Sequence, residues 1–407
     1  MNNPVKIILC VITLAAAAAG FLIVACNAGK KGSGNGSTKP PLYYVSNKTP
    51  PTPQPFKDKT ASELVAEIKI GWNLGNTLDA NDLPWLGANP SVSAMEMAWG
   101  NPVTTEENFR TLKDAGFNAI RIPVSWTKVT NSDYIIRNDW MDRATEIVNY
   151  AADNDMYVVI NTHHDEDVFK FTNTQKEASL KAFEIIWGQI AANFRNYNEK
   201  LIFEGLNEPR VKGSPAEWSG GTALEYFIIN EYHQLLVDTV RASGGNNDKR
   251  MLMVTTYAAS AEQRAMDGLV VPKDTADKKI IVSIHAYSPY NFALNQSGSA
   301  VDTWSKNNAS DTSDVRTPLD RAYDTFVSKG FPVIMGEFGA VDRDNEDARA
   351  EWAEYYVSYA KSKGIPCFWW DNGIYQRSSG EQFGILDRYD NFFPFPGIID
   401  ALMRGLE

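Results

Sequence analysis

The chain has 407 residues, 43% of them hydrophobic and 22% charged, which is enough apolar material for one large packed domain or two average ones. Its formal net charge of −11 argues against nucleic acid or an anionic membrane surface as the main partner, since both demand basic patches. A neutral ligand stays open, and 11 Trp and 17 Tyr are available to meet one.

In chain order, Lys6 precedes the apolar run "IILCVITLAAAAAGFLIVAC". A short positive start and an apolar middle predict an export signal over residues 1–25. The ending "IVAC" resembles a bacterial lipobox, with Cys26 as the lipidated residue that holds the chain at a membrane. The competing reading is an uncleaved transmembrane anchor. Both put the body outside the cytoplasm, as an exported, cell-surface or periplasm-facing protein. Residues 26–55 are rich in Gly, Ser, Asn, Thr and Pro and read as a lipid-anchored flexible linker. The body then spans residues 56–407. Cys10 lies in the signal and Cys26 at its edge, so Cys367 is alone in the body. No disulfide or cysteine metal site is expected, and Cys367 reads as a small buried hydrophobe.

Within the body, apolar strand-like runs occur at 68–74, 118–124, 157–161, 201–205, 251–256, 280–286, 332–337 and 366–370. Helical patterns fall between them, at Thr105–Ala115, Asp139–Asn154, Gln175–Phe194, Tyr226–Ala242, Pro318–Lys329 and Asp347–Ser362. A weak helical pattern covers Ala259–Val270, and a last helix covers Gly397–Gly405. "TTEENFRTLKDAG" shows a Thr cap, acids in the first turn and a terminal Gly116. In "RTPLD", Pro318 reads as a start signal. Short apolar strands alternating with helices imply parallel strands buried on both faces. Eight such units predict an α/β fold, a (β/α)8 TIM barrel in a single domain. An open doubly wound sheet is the alternative, but "GWNLGNT" lacks the spacing of a phosphate-binding turn.

In a barrel, the C-terminal strand ends form the active-site rim. Here the second strand carries Arg121 and the third leads into His163 and His164. The fourth leads into Asn207 and Glu208, and the sixth into His285 and Tyr287. The seventh ends in Glu337, and the eighth in Trp369, Trp370, Asp371 and Asn372. His233, within a helix, reads as structural. Two acids on different strands can divide roles if one stays protonated and the other ionised, and a nearby Arg favours the ionised one. Paired carboxylates of this kind suit glycoside hydrolysis, with aromatic faces for sugar rings. A metal hydrolase built on "HHD" is the rival; adjacent His side chains on a continuing strand would point to opposite faces. No serine-nucleophile motif G-x-S-x-G occurs.

The ordered motifs "AIRIPVSW", "NTHHD", "LIFEGLNEP", "SIHAYSP", "IMGEFGA" and "CFWWDNG" resemble glycoside hydrolase family 5. "IGWNLGNTLDA" and "MAWGNPVTT" resemble its bacterial branch of endoglucanases, xyloglucanases and lichenases. The resemblance implies a retaining endo-acting enzyme on β-1,4-glucan-type polysaccharides, with no cofactor and no metal. Glu208 is implied as acid/base and Glu337 as nucleophile, their carboxyls roughly 5–5.5 Å apart. Arg121 and Tyr287 are implied to orient Glu337, and Asn207 to bond the sugar 2-hydroxyl. His163 and His285 would complete a polar floor, and Trp370 would be a stacking platform. His164, Asn76, Trp99 and Asn372 are further implied sugar contacts. Met97 departs from the branch, which often has Thr there. Trp85, Trp126, Tyr134, Trp218 and Trp304 are additional stacking candidates. The expected partner is a polysaccharide met by a monomer; a related β-mannanase or a non-catalytic carbohydrate-binding protein are the alternatives.

Overall fold

The computed structural model describes residues 42–50, 52–376 and 380–407. The eight apolar runs become eight strands: β1 (Ile70–Leu74), β2 (Ala119–Ile122), β3 (Tyr157–Asn161), β4 (Leu201–Glu204), β5 (Leu252–Ser260), β6 (Ile280–His285), β7 (Val333–Phe338) and β8 (Cys367–Asp371). They pair in parallel and in chain order, and β8 closes onto β1 with Ile70 opposite Cys367 and Trp72 opposite Trp369. Every strand residue except Ser260 is buried, as a parallel sheet covered on both faces requires.

Side chains alternate between the two faces of each strand. Outward residues such as Trp72, Ile120, Val158, Phe203, Val254, Val282, Met335 and Trp369 join the helices in one core. Cys367 belongs to this layer and is a buried, free thiol, as its apolar context predicts. Inward residues Ala119, Val159, Ile202, Met253, Ile281, Ile334 and Phe368 form a second core inside the barrel. Gly71 is required here, because a Cβ would stand 2.1 Å from the Phe368 ring. The short helix Ala61–Val65, which sequence reading did not mark, adds Ala61, Leu64 and Val65 to this inner core and so closes the N-terminal end of the barrel. Its start is fixed by a capping box between Thr60 and Glu63.

The crossover helices follow expectation closely at Glu106–Asp114, Asn138–Asp153, Lys176–Phe194, Ala223–Ala242 and Glu346–Ser362, with a last helix at Pro396–Arg404. Two differ. The helix expected at Pro318–Lys329 runs over Ala309–Thr325, with Asn308 as its cap and Pro318 inside it. A proline there frees the carbonyl four residues back. That carbonyl, on Asp314, accepts from the Ser288 hydroxyl at 2.7 Å. The weak helix at Ala259–Val270 shrinks to Gln263–Asp267, because β5 extends through an irregular register to Ser260.

The linker reading also changes. Residues 42–50 and 52–55 lie against the barrel's helices: Tyr44 donates to Asp142 at 2.8 Å, the Ser46 amide to Asn193 at 2.8 Å, and the Gln54 amide to the Asn196 carbonyl at 2.9 Å. The export signal (1–25), the lipidation residue Cys26 and the linker to residue 41 lie outside the described residues. Among the described residues, no helix is long and apolar enough to cross a membrane.

Candidate active site

The C-terminal strand ends converge on one cleft of about 1240 Å³. Its floor is set by a residue that the sequence reading passed over. Glu204 sits in the middle of "LIFEG", fully buried, and faces into the barrel beside Arg121. A buried carboxylate must be paired. Glu204 accepts from Arg121 Nε at 2.7 Å, from Asn161 Nδ2 at 2.9 Å and from Ser283 Oγ at 2.9 Å. Asn73, likewise unmarked, accepts from Arg121 Nη1 at 3.0 Å. The signal for both was a polar residue inside an otherwise apolar strand.

Arg121 spends its remaining donors upward. Nη1 reaches Glu337 Oε1 at 2.7 Å and Nη2 reaches Asn207 Oδ1 at 2.7 Å. The second bond fixes the Asn207 amide and leaves its Nδ2 free to donate into the cleft. The other oxygen of Glu337 accepts from the Tyr287 hydroxyl at 2.8 Å. Burial and the adjacent Glu337 carboxylate push the Tyr287 phenol well above its ordinary value, so it stays a donor.

Glu208 lies across from Glu337, with His285 between them. His285 Nδ1 is 2.9 Å from Glu208 Oε1 and 3.6 Å from Glu337 Oε2. One oxygen of each glutamate lies within 4.8 Å of the other and of the histidine. His285 fits because residue 336 is glycine; a Cβ there would stand 3.0 Å from His285 Nε2. Burial raises the Glu208 carboxyl, but its bond to His285 and the charges of His285, Arg210 and His164 bring it below the ordinary glutamate value.

β3 ends at Asn161, so His163 and His164 stand beyond it and the opposite-faces expectation fails. Their rings meet edge to face with centroids 4.5 Å apart, and Asp79 joins them within 4.8 Å. This trio still does not suit a metal. Asn161 Oδ1 accepts from the Val124 amide and its Nδ2 serves Glu204, so the same Nδ2 also donates to His163 Nδ1 at 3.1 Å. His163 Nε2 therefore carries the ring proton. Burial, with the His164 and Arg121 charges, holds His163 well below its usual range and neutral. It is a hydrogen-bond donor lying parallel to Trp370, with ring centroids 5.8 Å apart. Burial lowers His164, but Glu166 and Asp79 outweigh it and the net direction is up.

Asn76, Trp99, His164, Trp370 and Asn372 all line the cleft. The Asn372 amide is largely committed to its own loop, donating to the Glu381 carbonyl and accepting from Ile374 and Phe383 amides. Trp369 and Asp371 face outward: Trp369 donates to the Phe383 carbonyl, and Asp371 accepts from Trp72. Of the additional stacking candidates, only Trp218 lines the cleft, 70% exposed. Trp126 and Trp304 are buried, Tyr134 packs on the helix-side core, and Trp85 is exposed away from the cleft lining. Met97 is also outside the lining. His233 is structural as expected: buried, bonded to the Thr255 carbonyl at 2.8 Å, and lowered by burial to about 4. Glu381 is a cleft acid that sequence reading missed; burial and the Glu337 charge raise its carboxyl.

A closed (β/α)8 barrel whose rim holds two opposed glutamates, one braced by Arg and Tyr, defines the class of barrel glycosidases with two catalytic carboxyls. A family model described as Cellulase (glycosyl hydrolase family 5) matches residues 79–376, and the chain belongs to that family. It is 43% identical over 347 residues to endoglucanase A of Clostridium longisporum, a match that covers 85% of this chain and 66% of that relative's length. Among solved structures, a GH5-4 broad specificity endoglucanase from Ruminococcus champanellensis with bound cellotriose is 47% identical, with TM-score 0.82, covering 86% of this chain and 100% of that one. A family 5 lichenase from Caldicellulosiruptor sp. F32 is 41% identical, with TM-score 0.82, covering 91% and 100%.

Proposed function

We propose that this protein is an endo-acting β-glucanase that cleaves internal β-1,4-glucan-type linkages by double displacement, with Glu337 as nucleophile and Glu208 as acid/base. The supporting observation is the spacing of the two carboxylates, whose facing oxygens lie within 4.8 Å. Retaining glycosidases hold their carboxyl groups about 5–5.5 Å apart, whereas inverting ones leave about 6.5–9.5 Å for a water. Glu337 attacks the anomeric carbon while Glu208 protonates the leaving glycosidic oxygen. Glu208 then takes a proton from water, which hydrolyses the glycosyl ester and frees Glu337. Arg121 and Tyr287 each donate to one oxygen of Glu337 and so aim its carboxyl. Asn207 Nδ2 and His163 Nε2 are free to donate to sugar hydroxyls, and Trp370 offers its ring face. The relatives named as endoglucanases and lichenase support glucan as the polymer.

Glu208→Gln and Glu337→Gln are each expected to lose nearly all turnover on soluble β-glucan, with the fold intact by circular dichroism. The wild type is expected to release β-configured reducing ends first, as seen by proton NMR. Initial α product, or near-native rates in either variant, rules the assignment out. We also propose export and lipid attachment at Cys26, supported by the apolar run and "IVAC" ending. Labelled fatty acid should enter the full chain and not its Cys26→Ala variant.

A further inference from the structure

Arg210 follows the Asn207-Glu208-Pro209 turn, and no step derived above uses it. Its side chain is only 10% exposed. Nη1 donates to the Glu208 backbone carbonyl at 2.8 Å and stands 3.5 Å from Glu208 Oε2. Nε donates to Glu217 Oε1 at 3.1 Å. The guanidinium lies 4.5 Å from the centroid of the Trp218 ring, the exposed aromatic on the cleft wall. Glu166 Oε1 stands 3.9 Å away on the β3 side, itself paired with Lys212 at 3.1 Å. One planar cation thus joins the backbone and carboxylate of Glu208 to the wall of the cleft.

We propose that Arg210 is a positioning residue for Glu208, locking the acid/base carboxyl to the Glu217–Trp218 wall so that its proton reaches the leaving oxygen from a fixed place. The proposal rests on the reading of Glu208 as acid/base. Arg121 and Tyr287 brace the nucleophile; Arg210 braces the acid from the opposite side. Without it the Glu208 carboxyl is steered only by His285. The charged groups facing Glu208 are Arg210 from its own loop, His164 and Glu166 from the loop after β3, His285 from β6 and Glu337 from β7. Arg210 is the one among them whose charge is fixed at every working pH. It therefore also helps set where the alkaline limb of activity falls.

The test compares Arg210→Met and Arg210→Lys on two substrates. Soluble β-glucan needs its leaving oxygen protonated; a 2,4-dinitrophenyl cellobioside does not. Arg210→Met is expected to lose on the order of tenfold to a hundredfold in kcat/KM on β-glucan, the cost of a misplaced catalytic group. Its kcat/KM on the dinitrophenyl substrate, which reports glycosylation alone, should stay within about threefold, since that step needs no acid there, whereas kcat, which includes the base step of Glu208, should fall. The alkaline limb of kcat/KM should move up by about one pH unit in Arg210→Met, because a cation near the carboxylate is gone. Arg210→Lys keeps the charge and loses the fork, so its limb should stay put while kcat on β-glucan falls. Equal losses of kcat/KM on both substrates, or an unmoved limb in Arg210→Met, overturn the proposal. If Arg210→Met does not fold, the Arg210→Lys substrate comparison decides. Glu208→Gln serves as the control: if its kcat/KM shows no split between the substrates, the acid/base reading of Glu208 fails, independently of Arg210.

Discussion

Glu204 is the most revealing position to perturb, because it touches no sugar and yet underlies the whole floor. Glu204→Gln keeps shape and one acceptor. The Gln oxygen can still accept from Arg121 Nε and Asn161 Nδ2, while its NH2 faces Ser283 Oγ, which can rotate to accept. What disappears is a buried charge 2.7 Å from the Arg121 guanidinium. Unit charges about 4 Å apart interact by roughly 4 kcal/mol at an effective dielectric of 20, and breaking a buried pair costs about 3–5 kcal/mol in measured cases. With the hydrogen bonds kept, about 3 kcal/mol is expected. An unfolding entropy of about 2.1 cal/mol/K per residue over roughly 360 residues is about 0.75 kcal/mol/K, so the melting midpoint should fall by about 4 °C. Arg121 would then be balanced by Glu337 alone, drawing the nucleophile's charge down toward the floor. Because the same Arg aims Asn207, kcat on β-glucan should fall roughly tenfold to a hundredfold. Calorimetry with steady-state kinetics on one preparation measures both. An unchanged midpoint with kcat within about twofold of wild type would falsify the view that this ion pair supports the site.

Tyr287→Phe removes the hydroxyl held by Glu337 and should lower kcat by about tenfold to a hundredfold, a charged hydrogen bond being worth roughly 1.5–3 kcal/mol; rapid-mixing assays of the glycosyl-enzyme steps check it. Asp165 is buried with Oδ2 unpartnered, and burial raises its carboxyl to about 6. The folded state therefore holds a proton that the unfolded chain releases near pH 4, so this group's contribution to stability falls as pH rises through roughly 4 to 6, by about 3 kcal/mol. Melting curves across that range should show this slope in the wild type and a flatter one in Asp165→Asn. Ser288→Ala leaves the Asp314 carbonyl, freed by Pro318, without its hydroxyl partner and should cost about 1 kcal/mol, read as a midpoint lowered by about 1–2 °C.

The barrel was readable because a strand buried on both faces must be an unbroken apolar run, and eight such runs stand between helical patterns. The polar and aromatic residues that line the cleft were readable because they follow those runs directly. The supporting layer beneath was not. Glu204 and Asn73 lie within the apolar strands that reveal the fold, and a period-based reading takes their neighbours' character for theirs. Pro318 misled for a related reason: proline starts helices more often than it sits inside them, and only Ser288, thirty positions upstream, makes the interior place tolerable. The helix at Ala223–Ala242 begins at a Thr222–Glu225 capping box, a local signal present in the chain and passed over for the later apolar pattern. Trp126 and Trp304 show the limit for aromatics. Composition marks them as ring platforms, yet only their neighbours in space decide whether a face is exposed.

Among the described residues, the core of Phe368 and the helix Ala61–Val65 fills the barrel behind the cleft. On the proposed double displacement, sugar, solvent and product then all meet on the C-terminal face of the barrel. The water that ends the reaction must arrive from the side where the departing fragment has just been. A fragment that lingers keeps solvent out and can itself return as the acceptor, so the departure of one half of the cut polymer governs whether the other half is released or rejoined.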